Sequence, residues 1–139
     1  IFKFSYTGKV DGMEITETED VEGDINWTTF KARKWYSDNW EFTIADADGK
    51  YTLAFDMRTG DSSINYIPSG KYTLGTSGQY IDEYYSTFNG SKSSYKAVAL
   101  TLTYHEDTKT YDVEFDVTLT DDRQFNGSYS GAVEGTPME

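Results

Sequence analysis

The chain has 139 residues, enough for one domain that buries about 70% of the surface its unfolded form exposes. Twenty-four acidic residues against twelve basic ones give a formal net charge of -12, which repels phosphate backbones and anionic lipid surfaces, so nucleic acid is not an expected partner. With no cysteine there is neither a disulfide framework nor a thiolate metal site, and no apolar run reaches the ~20 residues of a transmembrane helix.

Aromatic residues make up 17% of the chain while proline occurs only twice, the profile of a strand former. The chain opens at Ile1 within an alternating stretch, with no initiator Met and no charged-then-apolar signal segment. That opening leads to the expectation that a leader has been removed and the protein exported. Phe2, Phe4, Tyr6 and Val10 share one face of this first strand. Residues 11 to 24 hold seven acidic side chains and no basic one, which reads as a solvated loop or edge, with calcium binding as the functional alternative.

Trp40, Phe42 and Ile44 then alternate on one strand face, and Tyr51, Leu53, Phe55 and Met57 on the next. Asp48-Gly49 lies between them and supplies the positive φ of a tight hairpin. Residues 58 to 69 and 75 to 97 are rich in Gly, Ser, Asn and Asp and read as long connections with short strands, such as 71 to 74; residues 81 to 85 make one helical turn at most. A second hairpin follows: Val98, Leu100, Leu102 and Tyr104 alternate, residues 105 to 110 turn, and Tyr111, Val113, Phe115, Val117 and Leu119 alternate back.

The expected fold is a single all-β domain over residues 1 to 139, an antiparallel β-sandwich of roughly eight to ten strands, with a closed, lipocalin-like barrel as the alternative. The strand from Tyr51 resembles the one from Tyr111, and Ser5-Tyr6-Thr7-Gly8-Lys9-Val10 echoes Ser128-Tyr129-Ser130-Gly131-Ala132-Val133. Two related halves, about 1 to 65 and 66 to 135, fit that pattern. Gly8 and Gly131 fall on inward faces, where a missing side chain marks a bulge or a close crossing.

No catalytic constellation is visible, and the chain is not expected to be an enzyme. His105 is the only histidine and sits in a polar turn, so neither a triad nor a histidine metal site can form. Glu114, Asp116 and Asp56 alternate with apolar neighbours, which puts them on solvated faces rather than in the burial that a raised-pKa acid requires. Asp46-x-Asp48-Gly49 begins like a calcium loop, but Met57 stands where the closing glutamate belongs. No cofactor is expected, and calcium has only weak support.

The aromatic residues carry the remaining signal. Trp27, Trp35, Tyr36 and Trp40 lie close to Lys31, Arg33 and Lys34, and Tyr80, Tyr84, Tyr85 and Phe88 lie in a polar stretch. Flat rings beside polar side chains suit a pyranose, which has an apolar face of CH groups and a rim of hydroxyls; the opposing reading makes these rings plugs at the ends of a sandwich. Trp40 belongs to a strand's apolar face and reads as core. Trp35, Tyr36, Tyr84 and Tyr85 are the candidate ligand-binding residues.

The run from Tyr111 to Val133, through Phe115-Asp116, the acidic turn at Asp121-Asp122 and Phe125-x-Gly127-x-Tyr129-x-Gly131, together with Ser69-Gly70-Lys71-Tyr72-Thr73-Leu74, resembles β-rich domains of uncharacterised outer-surface lipoproteins of gut Bacteroidetes. The resemblance covers the last third of the chain and leaves out residues 11 to 35. It implies an exported protein at the cell surface or in the periplasm, lipid-anchored through a segment that precedes Ile1. The function expected first is a non-catalytic cell-surface module that binds glycan. The alternatives are a structural or adhesive domain contacting other surface proteins and a carrier of an apolar ligand, the latter opposed by the many inward-facing rings.

Overall fold

A computed structural model describes residues 25 to 135. The expected opening strand, Gly8 and the acidic stretch 11 to 24 with its calcium alternative lie outside the described residues. Within them the chain forms nine strands: β1 (Trp27–Tyr36), β2 (Asn39–Asp46), β3 (Thr52–Arg58), β4 (Gly70–Thr73), β5 (Tyr80–Phe88), β6 (Ser91–Lys92), β7 (Tyr95–His105), β8 (Thr110–Leu119) and β9 (Gln124–Gly131). No helix among them is long and apolar enough to cross a membrane. Every strand pair is antiparallel, in a five-stranded sheet of order β1-β2-β3-β5-β6 and a four-stranded sheet of order β4-β7-β8-β9. The sandwich is the fold; the barrel alternative does not form.

Both expected hairpins are present, β2–β3 around Gly49 at φ 72° and β7–β8 around residues 106 to 109. The stretch 75 to 97 is a correction. Instead of a long connection interrupted by short strands, with one helical turn at most, it holds the nine-residue β5, the short β6 and the start of β7. Asn89-Gly90 joins β5 to β6 as a two-residue loop with both φ values positive, 52° and 88°, which is the type I′ hairpin turn.

Alternation decides what faces inward. Trp40, Phe42 and Ile44 of β2, Leu53, Phe55 and Met57 of β3, and Val113, Phe115, Val117 and Leu119 of β8 are all buried. The sheets meet ring against ring: Trp27 edge-on to Phe115 at 5.3 Å, Phe55 against Tyr95 at 5.4 Å, and Phe30 stacked on Tyr129 at 4.2 Å. Each such pair adds about 0.5–1.5 kcal/mol to the area it buries. Trp27, Trp40 and Phe88 therefore belong to the packing between the sheets rather than to a surface platform. This filling does not favour the apolar-carrier reading.

After β9 the chain crosses to the other sheet. The Ala32 N–H donates to the Glu134 carbonyl at 2.8 Å, and the Glu134 N–H donates to the Phe30 carbonyl at 3.0 Å, so the tail runs parallel along the β1 edge and buries Val133. Gly131 stands at the departure, where a Cβ would come within 2.8 Å of the Tyr129 hydroxyl, a close approach of the kind its inward position implied.

Hydrogen bonds from several strands hold the connection from β3 to β4. The Asp38 carboxylate accepts from the Gly60 N–H, the Lys34 ammonium donates to the carbonyls of Ser62 and Ile64, and the Tyr111 hydroxyl bonds both backbone groups of Ile67.

Candidate functional site

Two interruptions of strand register shape the outer face of the five-stranded sheet. In β1, Lys34 pairs with Trp40 and Tyr36 with Asn39, so Trp35 is an extra residue, a bulge. Regular alternation would turn Tyr36 inward once Trp35 points out. The bulge resets the phase, and both rings stand on the outer face.

The second interruption is larger. Ala54 pairs with Thr87 while Asp56 pairs with Asp82, so three more residues lie on β5 than on β3 across this step. Ser86 closes the excursion: its hydroxyl donates to the Asp82 carbonyl at 2.6 Å and accepts the Asp56 N–H at 2.9 Å. The Asp82 carboxylate accepts the Tyr85 N–H, three residues on, at 2.9 Å. Glu83, Tyr84 and Tyr85 protrude.

All four candidate residues are exposed: Trp35 at 49%, Tyr36 at 61%, Tyr84 at 55% and Tyr85 at 57%. Trp35, Tyr36 and Tyr85 come together around a groove of about 340 Å³ whose floor is Asn39, Glu41 and Asp56. That lies at the lower end of the range for small-ligand sites. Tyr84 stands beside Tyr85, ring edge to face at 4.8 Å, and Lys92 reaches over both rings at 5.0 Å. Arg33 lies over Trp35 at 4.0 Å and Arg58 over Tyr36 at 5.8 Å. The rings and Arg33 stood out as aromatics and a cation that the apolar alternation left unassigned. Asn39, Glu41 and Lys92 were missed, although the turn at 46 to 51 already puts Glu41 opposite Asp56.

Charge across this face is uneven. Arg58 pairs with Asp38 at 3.1 Å. Partial burial raises the Asp38 carboxyl, but hydrogen bonds from the Gly60 N–H and Arg58, with the Arg58 charge, outweigh it and hold the group below the usual carboxylate range. Asp56 behaves oppositely. Half-burial pushes its carboxyl above the usual range and the charges of Asp82 and Glu41 push the same way, against a 2.8 Å hydrogen bond from Asn39 and the Arg58 charge. The solvated placement expected for Asp56 is thus corrected: it lies on the outer face, but beneath neighbours that take much of its water.

This has a consequence for stability. A carboxyl whose folded-state pKa lies above its unfolded value favours folding below the unfolded value, and that contribution is lost as pH rises through the folded-state value. At pH 7 the ionised Asp56 therefore opposes folding. Asp56→Asn, which keeps an acceptor for Asn39, is expected to be more stable than the parent at pH 7 by about 0.5 kcal/mol after solvent screening, with the gap closing below about pH 4. Urea titrations at both pH values check this, and a gap independent of pH would contradict it.

Comparison of the chain with protein-family models, curated proteins and solved structures finds no match.

Other acidic positions are accounted for locally. The Asp46 carboxylate accepts the Tyr51 N–H at 2.9 Å and so secures the hairpin at which a calcium loop was weighed. His105 Nε2 lies 3.1 Å from the Asp112 carboxylate at an exposed strand end. Glu114 and Asp116 are exposed on the outer face of the four-stranded sheet, where they border a shallow polar depression of about 450 Å³ with Lys71, Thr101, Asn126 and Ser128. None of its polar side chains is matched by an exposed large ring.

Proposed function

We propose that the chain is a non-catalytic binding module of a bacterial cell surface and that its ligand is glycan. The observation that carries this reading is the set of four exposed rings gathered on one sheet face by two breaks in register. Large rings left in water cost hydrophobic free energy, and a cluster of them over a polar floor is the surface that a sugar ring, with its CH face and hydroxyl rim, can cover. Asn39, Glu41 and Asp56 supply amide and carboxylate partners for the hydroxyls. The resemblance to outer-surface lipoprotein domains supports the cell-surface setting, with anchoring through a lipid on a preceding segment.

A glycan array tests this, run with the parent, a Trp35→Ala/Tyr36→Ala variant and a Tyr84→Ala/Tyr85→Ala variant, each repeated with chelator. Signal on one sugar class is expected from the parent, with at least a tenfold loss in the first variant. Its Tm should stay within about 3 °C, because exposed side chains contribute little to folding. A blank array from folded protein would overturn the reading.

The second reading, a structural or adhesive domain contacting other proteins, draws on the composition of the same face. Trp, Tyr and Arg dominate the energetics of protein interfaces, and Arg33 on Trp35 and Arg58 over Tyr36 reproduce that composition. A blank array together with self-association or capture of a defined surface protein would favour it.

A further inference from the structure

Register sets Arg33, Glu41, Asp56 and Asp82 side by side across four adjacent strands of the outer face. Arg33, the cation placed across from Glu41, lies instead on the Trp35 ring. Arg58 is paired to Asp38, and Lys92 lies over the two tyrosines. Among the described residues, none of Glu41, Asp56 and Asp82 forms an ion pair. Like charges directly opposite one another on neighbouring strands are destabilising, and Asp56 is moreover half removed from water. The fold brings three carboxylates together where the aromatic groove opens and leaves them without an ion-pair partner, Arg58 being held by Asp38 and acting on Asp56 only from a distance.

Rings and carboxylates make complementary demands of a ligand. A neutral pyranose satisfies the rings and can donate hydroxyl hydrogen bonds, but leaves the charge in place. A uronic acid adds a further negative charge. A protonated amine on a sugar ring meets both demands, since the ammonium gains ion pairs and charge-assisted hydrogen bonds from the floor and a cation–π contribution from the walls. We infer that the groove floored by Glu41 and Asp56 and walled by Trp35, Tyr36 and Tyr85 selects glycans that carry an unacetylated amino sugar. The inference rests on the glycan reading above and adds to it the ligand's charge.

The test compares two hexamers with the same β-1,4-linked backbone, glucosamine hexamer and cellohexaose, which differ at C2 in an ammonium against a hydroxyl. Calorimetric titrations in about 0.15 M salt use the parent and a Glu41→Gln/Asp56→Asn variant whose fold is checked by thermal melting. The parent is expected to bind the glucosamine hexamer at least ~10-fold more tightly than cellohexaose, and in the variant the difference should shrink to about threefold or less. A chain of net charge -12 attracts any polycation, but the variant removes two of twenty-four acids and hardly alters that general attraction. A preference that persists in the variant therefore overturns the assignment to this groove. Equal affinity for the two hexamers overturns amine selection and leaves the glycan reading standing. Binding of neither hexamer also overturns amine selection, and the array then decides separately whether the glycan reading survives.

Discussion

Tyr111→Phe should destabilise the fold by about 2–4 kcal/mol although it removes a single oxygen atom. Tyr111 heads β8 at 1% exposure, and its hydroxyl reaches across 44 residues of sequence to Ile67, itself fully buried. There it accepts the Ile67 N–H at 2.9 Å and donates to the Ile67 carbonyl at 2.8 Å. Phenylalanine fills the same space but leaves both backbone groups buried without those partners, at about 1–3 kcal/mol each. A domain of this size is stable by only about 5–15 kcal/mol, so Tm should fall by about 10 °C. Tyr72→Phe is the internal comparison. The Tyr72 hydroxyl donates to the Pro68 carbonyl at 2.8 Å and accepts only a long contact from the Gln79 amide at 3.5 Å, so its loss should cost about half as much. Equal costs in thermal melts of the two variants, or a cost under about 1 kcal/mol for Tyr111→Phe, would show that the 59 to 69 connection finds its bonds elsewhere.

The residues that define the sandwich were legible because they obey a period of two. Trp40 to Ile44, Tyr51 to Met57 and Tyr111 to Leu119 each put every second apolar side chain inward, and the turns between them carry residues suited to their backbone. β1 was not legible for a physical reason. Its inward positions run Phe30, Ala32, Lys34, and the lysine breaks the apolar pattern because its ammonium leaves the core region to bond the carbonyls of Ser62 and Ile64. β5 was hidden by its own excursion, which shifts the alternation by three residues, an odd number. Asn89-Gly90 was a readable signal there, since that dipeptide is the strongest short-range hairpin marker, and it would have fixed where β5 ends. The four candidate rings were singled out as aromatics that the core does not claim, and all four are exposed. What brings three of them to one groove is the bulge at Trp35, beside the β1–β2 turn, and the excursion before Ser86, which depends on a hydrogen bond between residues 30 apart that no local pattern encodes.

Ser86→Ala is expected to cost about 2–3 kcal/mol and to weaken ligand binding together with stability. The Ser86 side chain is fully buried and stands in for a backbone group, taking the Asp56 N–H that regular pairing would give to β5 and tying back the Asp82 carbonyl. Alanine leaves a half-buried donor and acceptor unpaired and frees the base of the excursion that carries Tyr84 and Tyr85. Rapid exchange of the Asp56 amide in hydrogen-exchange measurements is the local signature. Deletion of residues 83 to 85 separates positioning from folding. Without them, Ser86 falls opposite Phe55 while Asp82 stays opposite Asp56, so β5 becomes a strand in regular register with β3 along its length. The shortened chain should melt at or above the parent temperature, because it exchanges two exposed rings and a side-chain closure for an ordinary ladder, yet it should lose at least tenfold in glycan affinity. Loss of stability on deletion would mean that the excursion serves the fold. Retained stability with lost binding would mean that the chain carries three residues its sandwich does not need, in order to hold Tyr85 beside Asp56 with Tyr84 against it.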